Sequence, residues 1–336
     1  MVIVFRTFLL IIIQIGMYIL WVLDWVTNFN LKKTSKVSLY LLVTLFGIAF
    51  SYAIYSDYFS KLADAFIEKD FYLSDSEVNT YYPILIQEIN VPKISAKSAL
   101  VMDRGKSKVL YELNLDEVLA PASTVKLMTA LVALDLYIFQ EVLTVPEYCT
   151  EVEGMKAFFP EGSKFLADDL IYSMLVGSAG DSACTLASGK VSEKEFIDLM
   201  NKKAEALGMK DTHFSNPVGL DNINGGHFST VTDLYKLANN AVANRFISQI
   251  VSTNYFHLKS IDGLYGSNLY NTNALLWQIP GSVGIKTGTT EGAGEVLIYE
   301  FRDNQKDLVI IVMGSKDRFY DVISLLTWTL LSYSWN

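Results

Sequence analysis

LAPASTVKLMTALVALD, residues 119–135, is the stretch on which the fold turns. Pro121 suits the first turn of a helix, where a missing N–H costs nothing. Ala, Leu and Met fill most of the remaining positions and are strong helix formers. Val125, Leu127, Met128, Leu131, Val132 and Leu134 cover nearly the whole circumference, a pattern that predicts a helix buried inside a domain. Yet its first turn carries Ser123 and Lys126. Positions i and i+3 share a helical face, so hydroxyl and amine can meet. Desolvating an ammonium is costly, and the cost is avoided if the amine is neutral. Burial lowers a lysine pKa, and a neutral lysine can take the proton of a nearby serine. Free N–H groups at a helix start also favour the negative charge that develops in acyl transfer. Alone, Ser-x-x-Lys is a weak pattern that a surface helix can carry by chance. In this chain Ser123 is the only serine with a lysine three positions on.

The chain has 336 residues, is 51% hydrophobic and carries a net charge of −9. That allows one large domain or two small ones beside membrane segments. No basic run exceeds two residues, so no nucleic-acid partner is expected. Cys149 and Cys184 form no metal-ligand spacing, and neither a metal nor a cofactor is expected. The two cysteines can form a disulfide if the domain lies outside the cytoplasm, but sequence cannot place them within bonding distance. The simpler reading makes them small buried apolar residues. Neither His-Glu-x-x-His nor Gly-x-Ser-x-Gly occurs, so zinc-protease and α/β-hydrolase readings lose their usual markers.

Residues 7–23 and 37–56 are uncharged and apolar, and together they make residues 1–56 a predicted membrane anchor of two transmembrane helices. Lys32, Lys33 and Lys36 lie between them, which puts that loop in the cytoplasm and everything after Asp57 outside. A signal peptide cleaved near Ala63 and Ala65 is the alternative, though the second run is long for a signal core. Residues 57–90 read as a spacer and 91–336 as the catalytic domain. Residues 94–113 read as a hairpin turning at Asp103-Arg104-Gly105-Lys106, and 139–167 as irregular. Helices are expected over 168–176, over 193–207 with Phe196, Leu199, Met200, Ala204 and Leu207 on one face, and over 230–243. Strands are expected at 284–290, 295–301 and 307–313, then an amphipathic helix over 318–335. Terminal strands and first hairpin should join one antiparallel sheet, with the helical middle inserted, an α+β layout.

Three polar groups stand in small-residue settings far apart in sequence: Ser123 with Lys126, Ser178 in a Gly-Ser-Ala-Gly turn, and Lys286-Thr287-Gly288 on a strand. Gly288 lets another backbone approach closely. Lys286, if near, would lower the Lys126 pKa by like-charge repulsion. Without other support, Ser178 reads as a turn residue and Lys286 as a solvated strand lysine. His213 and His227 read as structural, since no partner pattern makes either a base. In these motifs and in THFSNPVGLD from Thr212, GGHFST from Gly225, NTNALLW from Asn271 and PGSVGIKTGTTEGAGEVLI from Pro280, the chain resembles a family. It is the serine D-alanyl-D-alanine carboxypeptidases, the low-molecular-mass penicillin-binding proteins, and the likeness runs from about Ser95 to the C-terminus.

The resemblance implies a penicillin-binding, transpeptidase-like fold. It implies a peptidase on the outer face of a bacterial membrane that removes the terminal D-alanine from peptidoglycan stem peptides and is inhibited by β-lactams. The lipid bilayer would be met through the N-terminal segments. Ser123 would form the acyl-enzyme, Lys126 would accept its proton, and Ser178 would relay a proton toward the leaving group. Lys286 and Thr287 would support the substrate carboxylate. Backbone N–H groups of Ser123 and Thr289 would form the oxyanion hole, and Arg318 would hold the terminal carboxylate. One departure matters: the family's Ser-x-Asn here ends in Gly180, which removes a substrate-binding side chain that Asp181 or a backbone group would have to replace. Endopeptidase action, a tethered wall binder with lapsed chemistry, and a β-lactamase are the competing readings; the last lacks its Glu-x-x-Leu-Asn pattern.

Overall fold

The computed structural model describes residues 82–221, 226–303 and 305–335. The expected transmembrane segments at 7–23 and 37–56, and most of the spacer, lie outside them. Among the described residues no helix is long and apolar enough to cross a membrane. The elements run β1 (Pro83–Leu85), β2 (Ser98–Asp103), β3 (Lys108–Leu113), a 3-10 turn (Ala122–Val125), α1 (Lys126–Leu136), β4 (Val142–Thr144), α2 (Glu147–Thr150) and β5 (Lys164–Leu166). They continue through α3 (Ala167–Val176), α4 (Gly180–Ser188), α5 (Glu193–Ala206), α6 (Val231–Ala243), α7 (Arg245–Val251), β6 (Tyr255–Lys259), β7 (Gly266–Tyr270) and α8 (Leu275–Gln278). Last come β8 (Ser282–Thr290), β9 (Gly294–Arg302), β10 (Asp307–Ser315), α9 (Arg318–Ser332) and β11 (Tyr333–Trp335).

The main sheet has the order β3-β2-β10-β9-β8 with antiparallel neighbours throughout. The predicted joining of the first hairpin to the terminal strands is therefore observed. Side chains alternate across a strand, and β10 shows both faces in use. Val309, Ile311 and Met313 enter the core shared with the helical layer. Leu308, Ile310 and Val312 enter a second core with Val322, Leu325 and Leu326 of α9. Burial on both faces explains why β9 and β10 read as continuous apolar runs rather than alternating ones.

The helical insertion packs around α1, which touches α3, α4, α5 and α6. Leu127, Met128, Ala130, Val132 and Ala133 are buried, as an all-round apolar helix requires. In α5, Phe196, Met200 and Ala204 are buried and Leu199 and Leu207 pack beside them, the face expected from the spacing. Ser192 caps α5 and Thr230 caps α6, each hydroxyl accepting a backbone N–H from the first turn.

Several expectations need correction. The last helix does not reach Trp335: it ends at Ser332, and residues 333–335 pair with β1. The Trp335 indole donates to Asp103 at 2.6 Å, an attachment to the first hairpin that helical spacing could not reveal. The stretch 139–167 is not wholly irregular, since β4 and β5 pair within it. The β6–β7 hairpin and α7 were not expected. Cys149 and Cys184 are buried but not free thiols: they form a disulfide, Cα to Cα 5.5 Å, that ties α2 to α4.

Candidate active site

The 3-10 turn runs directly into α1, so Ser123 stands within the turn and Lys126 opens the helix. The predicted meeting at i, i+3 occurs, with Lys126 Nζ 2.7 Å from Ser123 Oγ. Ser123 is only half-buried, whereas Lys126 is 1% exposed. The amine's other partner is the Val218 carbonyl at 2.6 Å. Burial pushes the Lys126 pKa down from 10.5 to about 7, against a smaller opposing pull from Asp181.

A second lysine–serine pair lies beside the first. Lys286 Nζ, also buried, donates to Ser178 Oγ at 2.9 Å and to the Thr287 carbonyl at 3.2 Å. Its pKa is held well below the usual lysine range by burial first, then by the charges of Lys126 and Arg318. The sequence reading assigned the repulsion to Lys126; burial accounts for that shift, and Lys286 is the group that feels the neighbouring charge. Ser178 sits in the turn between α3 and α4 at φ +57°, a backbone position that non-glycine residues seldom take.

Two glycines let backbone come close to the Ser123 turn. A Cβ on Gly288 would lie 2.8 Å from both Ser123 N and Ala122 Cβ, so β8 can pass this close only without a side chain. From the 216–221 loop, a Cβ on Gly219 would lie 2.2 Å from the Ala122 carbonyl, and Gly219 itself takes φ +90°. Residues 284–290 thus lie where the sequence placed them, and Gly288 brings its strand against the Ser123 backbone. Thr287 Oγ1 meets Thr272 Oγ1 at 2.5 Å. Arg318, first residue of α9, donates to the Gly288 carbonyl at 2.9 Å and to Thr289 Oγ1. Its Nε is buried without a hydrogen-bond partner among the described residues. All the candidate residues, Arg318 included, therefore gather in one place.

Gly180 is the first residue of α4, and its N–H donates to the Met155 carbonyl at 2.7 Å. A Cβ there would meet Val152 and Val218 Cγ1, each at 3.1 Å, and the Met155 carbonyl at 3.3 Å. The glycine leaves no hole: valines and a loop fill the space. Asp181 does not turn into it. Its carboxylate is buried and accepts the N–H groups of Ala157, Phe158 and Phe159 at 3.0, 2.8 and 3.3 Å.

Sequence reasoning missed the loop that aims Lys126. Asn216 Oδ1 accepts the N–H groups of Val218, Gly219 and Leu220 at 3.1, 2.7 and 3.2 Å. Thr129 Oγ1 holds the Pro217 carbonyl at 2.7 Å. His227 Nδ1 accepts the Ser215 N–H at 3.1 Å, and burial lowers its pKa to about 4, so the ring supports the loop as a neutral acceptor. Asp221 fastens the far end, accepting from Thr290 Oγ1 at 2.6 Å and Gly292 N–H at 2.7 Å. The block from Thr212 was visible in the sequence, but nothing in its spacing says that a main-chain carbonyl does the positioning.

A model of the D-alanyl-D-alanine carboxypeptidase family matches residues 86–317. The chain belongs to this family. D-alanyl-D-alanine carboxypeptidase DacF of Bacillus subtilis is 31% identical over 71% of this chain and 63% of its own length. A D-alanyl-D-alanine endopeptidase of Escherichia coli is 33% identical over 70% of this chain and 78% of its own. The chain spans about 63% of the length of the first curated carboxypeptidases that it matches. Among solved structures, a Streptomyces DD-transpeptidase is 27% identical with a TM-score of 0.67, covering 72% of this chain and 100% of that one. The antiparallel sheet with flanking helices is therefore the fold of that DD-transpeptidase.

Proposed function

We propose that this carboxypeptidase-family chain removes the terminal D-alanine from peptidoglycan stem peptides through an acyl-enzyme on Ser123. One observation carries the reading: a half-buried Ser123 hydroxyl 2.7 Å from a buried Lys126 whose pKa lies near 7. At neutral pH much of that amine is unprotonated and can take the Ser123 proton as Oγ attacks the penultimate D-alanine carbonyl. The C–N bond to the terminal D-alanine then breaks, and its amine takes a proton through Ser178, which Lys286 holds at 2.9 Å. Water attacks the acyl-enzyme in the second half, with Lys126 again the base. The close approach of β8 to Ser123 supports an oxyanion hole made by the Ser123 and Thr289 N–H groups. Arg318, whose guanidinium reaches the end of β8 from the start of α9, suits the terminal carboxylate.

Two further parts belong to this proposal. Residues 1–56 anchor the chain in the bilayer, supported by their two uncharged runs. The catalytic unit works outside the cytoplasm, supported by the Cys149–Cys184 disulfide, a bond typical of oxidising compartments. β-Lactams would acylate the same serine.

The test is D-alanine release from a pentapeptide ending in D-Ala-D-Ala, run beside labelling by a fluorescent penicillin. Release together with a stable covalent label is expected. Neither release nor label would leave a wall binder, and rapid penicillin turnover would leave a β-lactamase.

A further inference from the structure

Beside the catalytic cleft runs a row of exposed aromatic rings that the reaction does not use. Tyr255 and Tyr270 face each other across the β6–β7 pair, ring centroids 5.3 Å apart. Trp277 of α8 continues the row 6.4 Å from Tyr270. These rings are 43%, 60% and 52% exposed, on a hairpin whose inward side chains, Leu258 and Leu269, are buried. The same outward face carries a polar pair, His257 opposite Asn268. Asn268 Oδ1 accepts the Tyr255 hydroxyl at 2.6 Å and lies 2.7 Å from His257 Nδ1. Contiguous exposed aromatics mark binding surfaces more often than isolated ones do. Tyr and Trp offer large faces at little cost in rotamer freedom.

The row is rigidly joined to the site. Two residues after Tyr270, Thr272 meets Thr287 Oγ1 at 2.5 Å and donates its N–H to the Val176 carbonyl at 3.2 Å. Two residues of chain span about 7 Å at most. Asn271 donates to the Val251 and Thr253 carbonyls, and Asn273 to the Gly284 carbonyl, so this junction is tied on both sides.

We infer that the Tyr255–Tyr270–Trp277 strip binds the glycan strand of peptidoglycan, the amino-sugar chain to which the stem peptide is attached; the inference rests on the proposed peptidase reading. A pyranose ring presents one face of C–H bonds that stacks on an aromatic ring. Its edge carries hydroxyl and acetamido groups that hydrogen-bond to an amide and an imidazole. Both kinds of partner stand side by side here. A stem peptide of five residues reaches about 17 Å at most, which keeps its sugar near a strip that starts beside Thr272. The strip would thus discriminate a stem peptide on its strand from a free one.

The test uses the full chain in detergent and, as probe, glycan strands stripped of their peptides by an amidase. Wild type and Ser123→Ala should both bind the strands. Trp277→Ala and Tyr270→Ala should each weaken binding roughly three- to tenfold, the scale of one aromatic contact, and Trp277→Phe should keep most of it. KM for a strand-linked pentapeptide should rise by the same factor, with kcat, free-pentapeptide kinetics and penicillin acylation unchanged. Absence of wild-type strand binding would overturn the inference, as would equal losses on free and linked substrate. So would a concentration-dependent dimer that the same substitutions disperse. If the wild type releases no D-alanine from either substrate, the peptidase reading fails, while strand binding by Ser123→Ala still decides the strip.

Discussion

Replacing Lys126 with arginine should abolish acylation by penicillin at every pH, whereas the native lysine should give one ascending limb. With a pKa of about 7, roughly one amine in eleven is neutral at pH 6 and ten in eleven at pH 8, so the rate should rise about tenfold between them. Because Lys286 feels the Lys126 charge, the limb belongs to the pair. Arginine stays protonated in proteins and cannot take the serine proton. Lys126→Met separates chemistry from folding. The native pKa is depressed from 10.5 to about 7, so between those values the unfolded chain binds the proton and the native one does not. The stability penalty is then full below pH 7 and fades as pH rises to 10.5, and it amounts to roughly 5 kcal/mol. Methionine removes it but leaves the Val218 carbonyl and Ser123 hydroxyl without a partner, at about 1–3 kcal/mol. A net gain of roughly 2–4 kcal/mol, or about 4–16 °C in Tm, should appear at pH 6 beside complete loss of acylation. The assay is fluorescent-penicillin labelling against time at each pH, with thermal unfolding of the same samples. Substantial acylation by Lys126→Arg, or a wild-type rate flat from pH 6 to 8, would refute the base assignment.

Gly180→Asn should not improve substrate binding. The added Cβ presses on Val152 and Val218, so stability should fall by about 1–3 kcal/mol and acylation should slow. Val152→Ala in the same chain should recover much of both, and an unaided gain in the single variant would show that the space is open after all. Serine at both Cys149 and Cys184 should lower stability by about 4 kcal/mol, the loop entropy for a separation of 35 residues. Denaturant unfolding checks it, and acylation at low temperature should persist. Asp181→Ala should free the N–H groups of Ala157, Phe158 and Phe159, which hydrogen exchange would report as lost protection of residues 157–159; unchanged protection would mean that the loop is held otherwise.

Much of this molecule was legible because its signals were local. The Ser123 helix, the Phe196 face, the first hairpin and the paired apolar strands each arise from short-range periodicity. The meeting of Ser123 with Lys126 came from one turn of helix geometry. Gly288 was legible as a close approach, though not what would approach it. What stayed hidden was long-range. Val218 acts through a main-chain carbonyl, which any residue supplies, so its side chain gives no sign. Asp181 looked available for substrate because nothing in sequence shows that three backbone N–H groups claim it. Tyr333–Trp335 has the apolar pattern of a helix end, and only a partner strand some 250 residues away turns it into β structure.

Glycine backbone at 219 and at 288 comes close against the Ser123 turn. That arrangement has an evolutionary consequence. A glycine offers no side chain to vary, and any substitution at either of these drives a Cβ into Ala122 or Ser123. Selection that alters what this serine will accept is barred from these two glycines. It must act through the surrounding segments: the valine-lined contact with Gly180, the loop around Phe158, and the hairpin that carries Tyr270. Change in this lineage should therefore accumulate at the rim while the centre stays fixed.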